Sequence, residues 1–203
     1  MKKYFATICF SLLLLACTEK KLQTYADKIE QYQYEMNVEY ADKKTSPLTE
    51  EAQKTFKGLP FYPTNELLRV TAKLTLTPDS EMFEMNSSTE RRPLYRQFAT
   101  ASFDYENVTY TLSLYQSQDV LSDPEYRGYL FLPFTDATNG VSSYGGGRYI
   151  ELWESDITEG QLVIDFNKAF NPLCAYNPKY SCPVPPKENN LPFEVKAGLM
   201  FSH

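Results

Sequence analysis

Two segments in which apolar and polar residues alternate constrain the fold of this chain most strongly. Every second residue is apolar in 68–77, and the pattern recurs in 108–114. Alternation with a period of two is typical of a strand that buries one of its faces. Further strands are predicted at 81–86, 94–104, 127–133, 148–153, 161–166 and 192–198, and a hairpin turn is predicted at 104–107. Short strands separated by turns, with no helices between them, predict a mainly β protein with an antiparallel β-barrel or sandwich.

One or two helices are predicted to precede the strands. Apolar residues recur at spacings of three and four over 22–40, which places them on one core-facing side of an amphipathic helix. Thr49 is a suitable N-cap for a second, short helix over 50–57, and Gly58 would help to end it.

The first residues, "MKKYFATICFSLLLLACTEKK", have the features of a secretion signal. A charged start precedes an apolar run over 4–15 that is too short to span a bilayer as a helix. The run ends in Leu14-Leu15-Ala16-Cys17, which resembles the signal of bacterial lipoproteins, cut before the cysteine. The resemblance implies diacylglycerol on the sulfur of Cys17 and an acylated amino group. The alternatives are a secretory peptide cut elsewhere and a short core helix.

The predicted domain organisation follows from this signal. A signal peptide over 1–16 is followed by a lipidated cysteine and tether over 17–21, and a single β-rich domain with N-terminal helices occupies 22–203. Several acyl chains on one cysteine give stable membrane anchoring. The predicted location is the bacterial cell envelope, anchored to the inner or the outer membrane, either periplasmic or surface-exposed.

The charge of the chain argues against nucleic acid as a partner. Twenty Lys and Arg residues stand against 26 Asp and Glu, giving a formal net charge of −6. Loss of Lys2 and Lys3 with the signal peptide would make the mature chain more acidic still. An acidic chain without a basic cluster is poorly suited to a phosphate backbone.

Cys174 and Cys182 form the one cysteine pair that the predicted processing leaves free. Cys9 would leave with the signal peptide, and Cys17 would carry lipid. Seven residues separate the pair, so it is not the C-x-x-C redox motif. Outside the cytoplasm a disulfide is the simplest interpretation. A metal site is the alternative, with two soft ligands in view, and no metal or cofactor is predicted.

A polar, glycine-rich loop over 135–148 is the first candidate ligand site. Asp136, Thr138, Tyr144 and Arg148 offer acceptors, hydroxyls and a cation, and Gly146 would let backbone N–H groups approach a ligand. The alternative is a hairpin loop whose side chains cap their own backbone.

Further candidates lie within the cysteine loop and on either side of it. They are Asp165, Asn167, Tyr176 and Glu188. An antiparallel hairpin between the strands at 148–153 and 161–166 would place Arg148 beside Asp165, and the loops are predicted to converge on one cavity. The alternatives are a solvated strand face and a purely structural ion pair.

Three longer stretches resemble one protein family. They are "SPLTEEAQKTFKGLPFYP", "YLFLPFTDATNGVSSYGGGRYIEL" and "DFNKAFNPLCAYNPKYSCPVPPKENNLP". Together they resemble a bacterial family known as domain of unknown function 1684. This chain has Glu151 where the family pattern has aspartate, and Phe170 where it has tyrosine. The resemblance implies that the glycine loop and the cysteine loop are family signatures, and it implies no reaction.

Two classes of function fit these features. The first is an envelope lipoprotein that binds a small polar ligand or a protein partner, and a structural role in envelope assembly is indistinguishable from it. The alternative is a histidine-free hydrolase or lyase that uses carboxylates with Tyr144 and Arg148. The chain has one histidine, at its last position, so nucleophiles activated by an internal histidine are excluded.

Overall fold

A computed structural model of the chain describes residues 23–121 and 123–201. The predicted signal peptide over 1–16, the predicted lipid site at Cys17 and the tether over 17–21 lie outside the described residues. The predicted domain over 22–203 is described except for residues 22, 122, 202 and 203.

Both predicted helices are present. Helix α1 (Tyr25–Ala41) begins with a capping box, because the hydroxyl of Thr24 accepts the backbone N–H of Asp27 and the Asp27 carboxylate accepts that of Thr24. Helix α2 (Glu50–Thr55) begins at the predicted N-cap, Thr49, and is shorter than predicted. A one-turn helix, α3 (Gln118–Leu121), was not predicted. No helix among residues 23–121 and 123–201 is long and apolar enough to cross a membrane.

Seven strands lie in the described part of the chain. They are β1 (Arg69–Leu76), β2 (Phe83–Glu84), β3 (Leu94–Tyr105), β4 (Val108–Ser117), β5 (Tyr129–Phe134), β6 (Arg148–Trp153) and β7 (Gln161–Asp165). The predicted hairpin between β3 and β4 is confirmed: Glu106 and Asn107 both have positive φ, at 49° and 64°, as a two-residue type I′ turn requires.

The strands form one antiparallel sheet in the order β6-β5-β4-β3-β1-β7, with β2 paired to β3. The predicted mainly β, antiparallel fold with N-terminal helices is therefore confirmed, and the sheet curves into a half-barrel. Its inner face is filled by aliphatic residues from all the long strands and by the aromatic rings of Phe103, Phe134 and Phe166.

The predicted strand at 192–198 is absent, and that at 81–86 is reduced to β2. The alternation in 192–198 is real, since Val195 and Ala197 are fully buried. The backbone of this segment pairs with a side chain instead of a strand, because the carbonyl groups of Val195 and Ala197 accept hydrogen bonds from Arg148.

Helix α1 lies against one end of the half-barrel. Ile29 and Tyr40 are its buried side chains. The hydroxyl of Tyr32 donates to the backbone carbonyl of Lys168, and the amide oxygen of Asn37 accepts the backbone N–H of Leu59 at 2.7 Å. The helix thus forms a wall beside the sheet, separated from it by a cleft.

Candidate functional site

Arg148, the strongest predicted ligand contact, lies inside the protein. Its side chain is fully buried, and Nη2 donates to the carboxylate of Asp136 at 2.8 Å. The same guanidinium donates to the backbone carbonyls of Val195, Ala197 and Leu199. The buried charge is therefore paired within the fold, as a guanidinium without water requires.

The other oxygen of Asp136 is equally occupied. It accepts hydrogen bonds from the backbone N–H of Thr138 at 2.8 Å, from the Thr138 hydroxyl at 2.6 Å and from the backbone N–H of Val195 at 3.1 Å. Thr138 is itself fully buried. Asp136, Thr138 and Arg148 therefore form a structural centre that ties the loop after β5 to the C-terminal segment.

The glycines of the loop allow close packing. A Cβ on Gly146 would lie 2.5 Å from the ring of Tyr144. A Cβ on Gly147, where φ is +89°, would lie 2.7 Å from the carbonyl oxygen of Phe134 and from the ring of Pro185. The structure gives these glycines packing roles, which agrees with the alternative interpretation of the loop.

Asp165 and Asn167 connect α1 to the sheet. The hydroxyl of Tyr25 donates to Asp165 at 2.8 Å and accepts from the amide nitrogen of Asn167 at 2.9 Å. Asn167 also exchanges two hydrogen bonds with the backbone of Asn65. The predicted pairing of Arg148 with Asp165 is wrong, because β7 pairs with β1 and not with β6.

Glu188 and its neighbour stabilise the seam between β4 and β5. Glu188 is exposed and accepts a hydrogen bond from the hydroxyl of Tyr115 at 2.9 Å. Asn189 is fully buried; its amide oxygen accepts the backbone N–H of Ser113, and its amide nitrogen donates to the carbonyls of Ser113 and Pro133. One residue pair, Tyr115 with Phe131, is in register between β4 and β5. The side chain of Asn189 therefore supplies hydrogen bonds that the two strands do not make with each other.

The glycine and cysteine loops do meet, at a set of aromatic rings. The ring centroid of Phe201 lies 5.2 Å from that of Tyr144 and 6.0 Å from that of Tyr176. Tyr176 also packs edge-on against Tyr40 of α1. Two of the three predicted groups are brought together here, while Asp165 and Asn167 lie elsewhere, under the first turn of α1.

Cys174 and Cys182 are adjacent, and both are free thiols in the structure. The backbone N–H of Cys174 donates to the sulfur of Cys182 at 3.1 Å. The predicted disulfide is thus not formed here, although the two side chains are neighbours. The disulfide stays a prediction.

A cleft between helix α1 and the sheet, here called the helix–sheet cleft, lies near these loops, and the sequence did not single it out. Its volume is about 560 Å³, and it lies between α1 and the outer surface of β6. Its lining residues are Tyr32, Glu35, Met36, Glu39, Tyr40, Tyr126, Glu151, Phe170 and Leu173. The helix–sheet cleft therefore has aromatic walls and three carboxylates.

A second cavity adjoins the cleft and extends it over the sheet. Its volume is about 290 Å³, and it shares Tyr126, Glu151, Phe170 and Leu173 with the cleft. The rest of its lining includes the aromatic residues Tyr95, Tyr129, Phe131 and Tyr149, together with Cys182. The two spaces share these walls and form one open path, with carboxylates at the cleft and aromatic rings over the sheet.

Glu151 is the electrostatic centre of this path. Its carboxylate accepts a hydrogen bond from the hydroxyl of Tyr129 at 3.2 Å. Burial raises the pKa of Glu151, and the negative charge of Glu39 raises it further, although the Tyr129 hydrogen bond opposes the rise. The side chain still reaches water at the mouth of the cleft, so a ligand can reach it.

Comparison with known proteins places the chain in a family. The family model described as a protein of unknown function, DUF1684, matches residues 54–200. The chain belongs to the DUF1684 family. The resemblance inferred from the loop sequences is therefore confirmed. No curated protein matches the chain.

One solved structure is similar to this DUF1684 protein along most of its length. It is the solution NMR structure of an uncharacterised protein of Haloarcula marismortui, with 32% sequence identity and a TM-score of 0.67. The similarity covers 86% of this chain and 92% of that chain. The similarity supports the half-barrel fold.

The DUF1684 match explains in part why the cleft was missed. Helix α1 lies before the matched residues, so the cleft is built from the family domain and from a helix outside the match. Tyr32 and Tyr40 were counted only as core positions of an amphipathic stripe. Glu151 and Phe170 were noted as departures from the family pattern, and both line the cleft. These two departures are the sequence signal that could have pointed to the cleft.

Proposed function

We propose that this protein is a membrane-anchored envelope lipoprotein that binds a small ligand carrying an amine or ammonium group. The observation that carries the binding proposal is the pair of carboxylates, Glu39 and Glu151, that act on the same aromatic-walled space. Neither Lys nor Arg is among the described residues that line it. A cationic ligand would supply the missing countercharge.

The aromatic walls suit such a ligand. A ligand cation over an aromatic ring is stabilised by about 0.5–2 kcal/mol, depending on how far water is excluded. Tyr126 stands edge-on to Tyr129, with ring centroids 6.2 Å apart, so two aromatic rings lie near Glu151.

One protein cation already lies near the cleft. The amino group of Lys168 is 5.8 Å from the ring centroid of Tyr32. Lys168 is exposed and is not among the residues that line the cleft. Its position supports the proposal, since it uses a face of Tyr32 in the way that a ligand cation would use the neighbouring rings.

The dimensions of the path suit a ligand with an apolar body. Ligand pockets typically occupy about 300–1,000 Å³ and bury most of the molecule against apolar surface. The second cavity is lined by Phe131, Tyr149 and Tyr95, which present ring surface to a flat or aliphatic group. The ammonium end would lie at the mouth, beside Glu39 and Glu151.

The enzymatic alternative receives less support from the geometry. Its proposed groups were Asp136, Asp165, Glu188, Tyr144 and Arg148. Asp136 and Arg148 are paired inside the core, Asp165 holds α1, and Glu188 accepts a hydrogen bond from Tyr115. Groups committed to structural hydrogen bonds are poorly placed to transfer protons to a substrate.

The binding proposal is tested with 2-phenylethylamine, phenethyltrimethylammonium and the neutral 2-phenylethanol, by isothermal titration calorimetry on the full chain. We expect the two cations to bind more tightly than the alcohol. Glu151→Gln and Glu39→Gln should each weaken cation binding about tenfold, the size expected for one charge-assisted contact. Glu30→Gln is the matched control, since Glu30 is exposed on α1 outside the cleft lining.

Equal affinity for the amine and the alcohol would refute the cation proposal. So would cation binding that survives Glu151→Gln and Glu39→Gln unchanged. Loss of binding in Glu30→Gln as well would indicate a diffuse electrostatic effect of the acidic surface.

The anchor is a separate part of the proposal, supported by the Leu-Leu-Ala-Cys box. We expect Cys17→Ser to abolish labelling by radioactive palmitate and to move the protein out of the membrane fraction. Cys9→Ser, within the predicted signal peptide, is the control and should retain both. Palmitate labelling that persists in Cys17→Ser would contradict the anchor.

A further inference from the structure

The cysteine pair has an asymmetry that a purely structural bridge does not need. Cys174 is half-buried at the surface of the cysteine loop, while Cys182 is buried, with 7% of its surface exposed. Their sulfurs are hydrogen-bonded to one another in the thiol state. Cys174 is thus the more exposed thiol, and Cys182 is a buried residue in the wall of the second cavity.

The surroundings of Cys174 favour its thiolate. The Cys182 thiol donates a hydrogen bond to the Cys174 sulfur and lowers the pKa of Cys174 to about 6; burial acts in the opposite direction, and the hydroxyls of Ser88 and Tyr144 lower the pKa further. The same hydrogen bond, with burial, raises the pKa of Cys182. The hydrogen bond therefore favours the thiolate at Cys174 and the thiol at Cys182.

The backbone around the pair is held in place. The backbone N–H of Cys182 donates to the hydroxyl of Ser88 at 3.0 Å, and the N–H of Ser88 donates to the carbonyl of Cys182 at 2.8 Å. Cys182 is thus fixed to the segment after β2, while Cys174 lies in a short helical turn, Leu173–Ala175.

We propose that Cys174 and Cys182 form a thiol–disulfide exchange site, with Cys174 as the attacking thiol and Cys182 as the resolving thiol. Its substrate class is a small-molecule or peptide disulfide. Cys182 also lines the second cavity, but the exchange reaction requires neither a bound cation nor the lipid anchor.

The chemistry balances in two steps. The Cys174 thiolate attacks one sulfur of the disulfide R–S–S–R; an S–S bond forms to Cys174, and R–S⁻ leaves and takes up a proton. The Cys182 thiol then loses its proton and attacks the Cys174 sulfur, expelling the second R–S⁻. Two protein thiols are oxidised to a disulfide, and the substrate disulfide is reduced to two thiols.

The test uses glutathione disulfide and the full chain carrying Cys9→Ser and Cys17→Ser, so that every thiol belongs to the pair. Intact mass should show the parent losing two hydrogen atoms, with no lasting adduct. Adding Cys182→Ser should trap one glutathionyl group, mapped by peptide analysis to Cys174. Adding Cys174→Ser instead should slow any adduct roughly tenfold or more, since the remaining thiol is buried and burial disfavours its thiolate.

A pH profile separates an exchange site from two neighbouring thiols. Alkylation of the reduced parent by iodoacetamide should occur first at Cys174, with a midpoint near the pKa of about 6. Cys182→Ala should move that midpoint upward, because the donating thiol is lost; circular dichroism confirms that each variant is folded. The proposal would be overturned if both thiols were alkylated equally, or if Cys182→Ala left the pH midpoint unchanged. It would also be overturned if dithiothreitol could not reduce the protein disulfide in the folded state.

Discussion

Arg148 shows that an arginine in a polar, glycine-rich loop, which looks like a ligand contact in the sequence, can be part of the core. An arginine after three glycines, close to an aspartate, is a reasonable candidate for binding an anion. The sequence does not reveal that the aspartate, Asp136, lies on the same side of the loop and pairs with it at 2.8 Å. Nor does it reveal that three backbone carbonyls of the C-terminal segment complete the set.

Replacing Arg148 with alanine should therefore destabilise the fold. Removal of one partner from a buried ion pair typically costs about 3–5 kcal/mol, because the other charge is left uncompensated. Urea denaturation should show this loss in the free energy of unfolding. The matched control is Arg91→Ala, which removes the exposed ion pair with Asp119 and should cost about 0–1 kcal/mol. Equal losses for the two variants would show that the buried pair is not a structural centre.

Glu151 gives the binding proposal a dependence on pH. Its pKa is raised in the free protein, first by burial and then by Glu39. A ligand cation favours the ionised carboxylate, so protons and ligand compete. Affinity should be constant above the raised pKa and should fall as the pH is lowered through it.

Phenethyltrimethylammonium is the probe for this dependence, because its charge does not change with pH. Calorimetric titrations at a series of pH values should show the fall in the parent and a flattened profile in Glu151→Gln. A parent profile that is already flat across the acidic range would exclude Glu151 as the ligand's counterion.

At the scale of elements, the alternating sequence pattern predicted which residues are buried more reliably than it predicted which strands pair. The segment 192–198 buries every second residue, but its backbone groups bond to Arg148 and to the loop after β5. Sequential order also misled at β6 and β7, which are consecutive in the chain and lie at opposite ends of the sheet order. Pairing is decided by long-range contacts, which a local pattern does not contain.

The seam between β4 and β5 depends on Asn189 in the same non-local way. Asn189→Ala removes three hydrogen bonds and leaves buried groups of Ser113 and Pro133 without partners, which should cost about 1–3 kcal/mol. Hydrogen exchange should show the backbone amide of Ser113 losing protection. Asn190→Ala is the control, since Asn190 is exposed and accepts one bond from the Thr135 hydroxyl. Unchanged protection of Ser113 would mean that packing, and not Asn189, holds the seam.

For the whole molecule, the fold was predictable and the candidate site was not. Local periodicity located both N-terminal helices, the long strands and the hairpin at Glu106–Asn107. The cleft arises where α1 is laid against β6 and the segment after β7, from residues more than a hundred positions apart. Its aromatic residues have the same spacing as core residues, so no local signal distinguished a wall of a cleft from a wall of the core.

The integrity of the cleft should depend on the attachment of α1, which Tyr25 provides at the first turn. Its hydroxyl donates to Asp165 and accepts from Asn167, and Tyr25→Phe removes both bonds while keeping the ring. The cost to global stability should be about 0.5–1.5 kcal/mol. The backbone amides of α1 should exchange faster, and affinity for phenethyltrimethylammonium should fall, because Tyr32 and Glu39 lie on that helix.

Tyr34→Phe is the control, since Tyr34 is on the same helix and is 63% exposed. If Tyr25→Phe speeds hydrogen exchange in α1 without lowering the affinity for the ligand, the helix is not part of the binding site, and the second cavity alone binds the ligand.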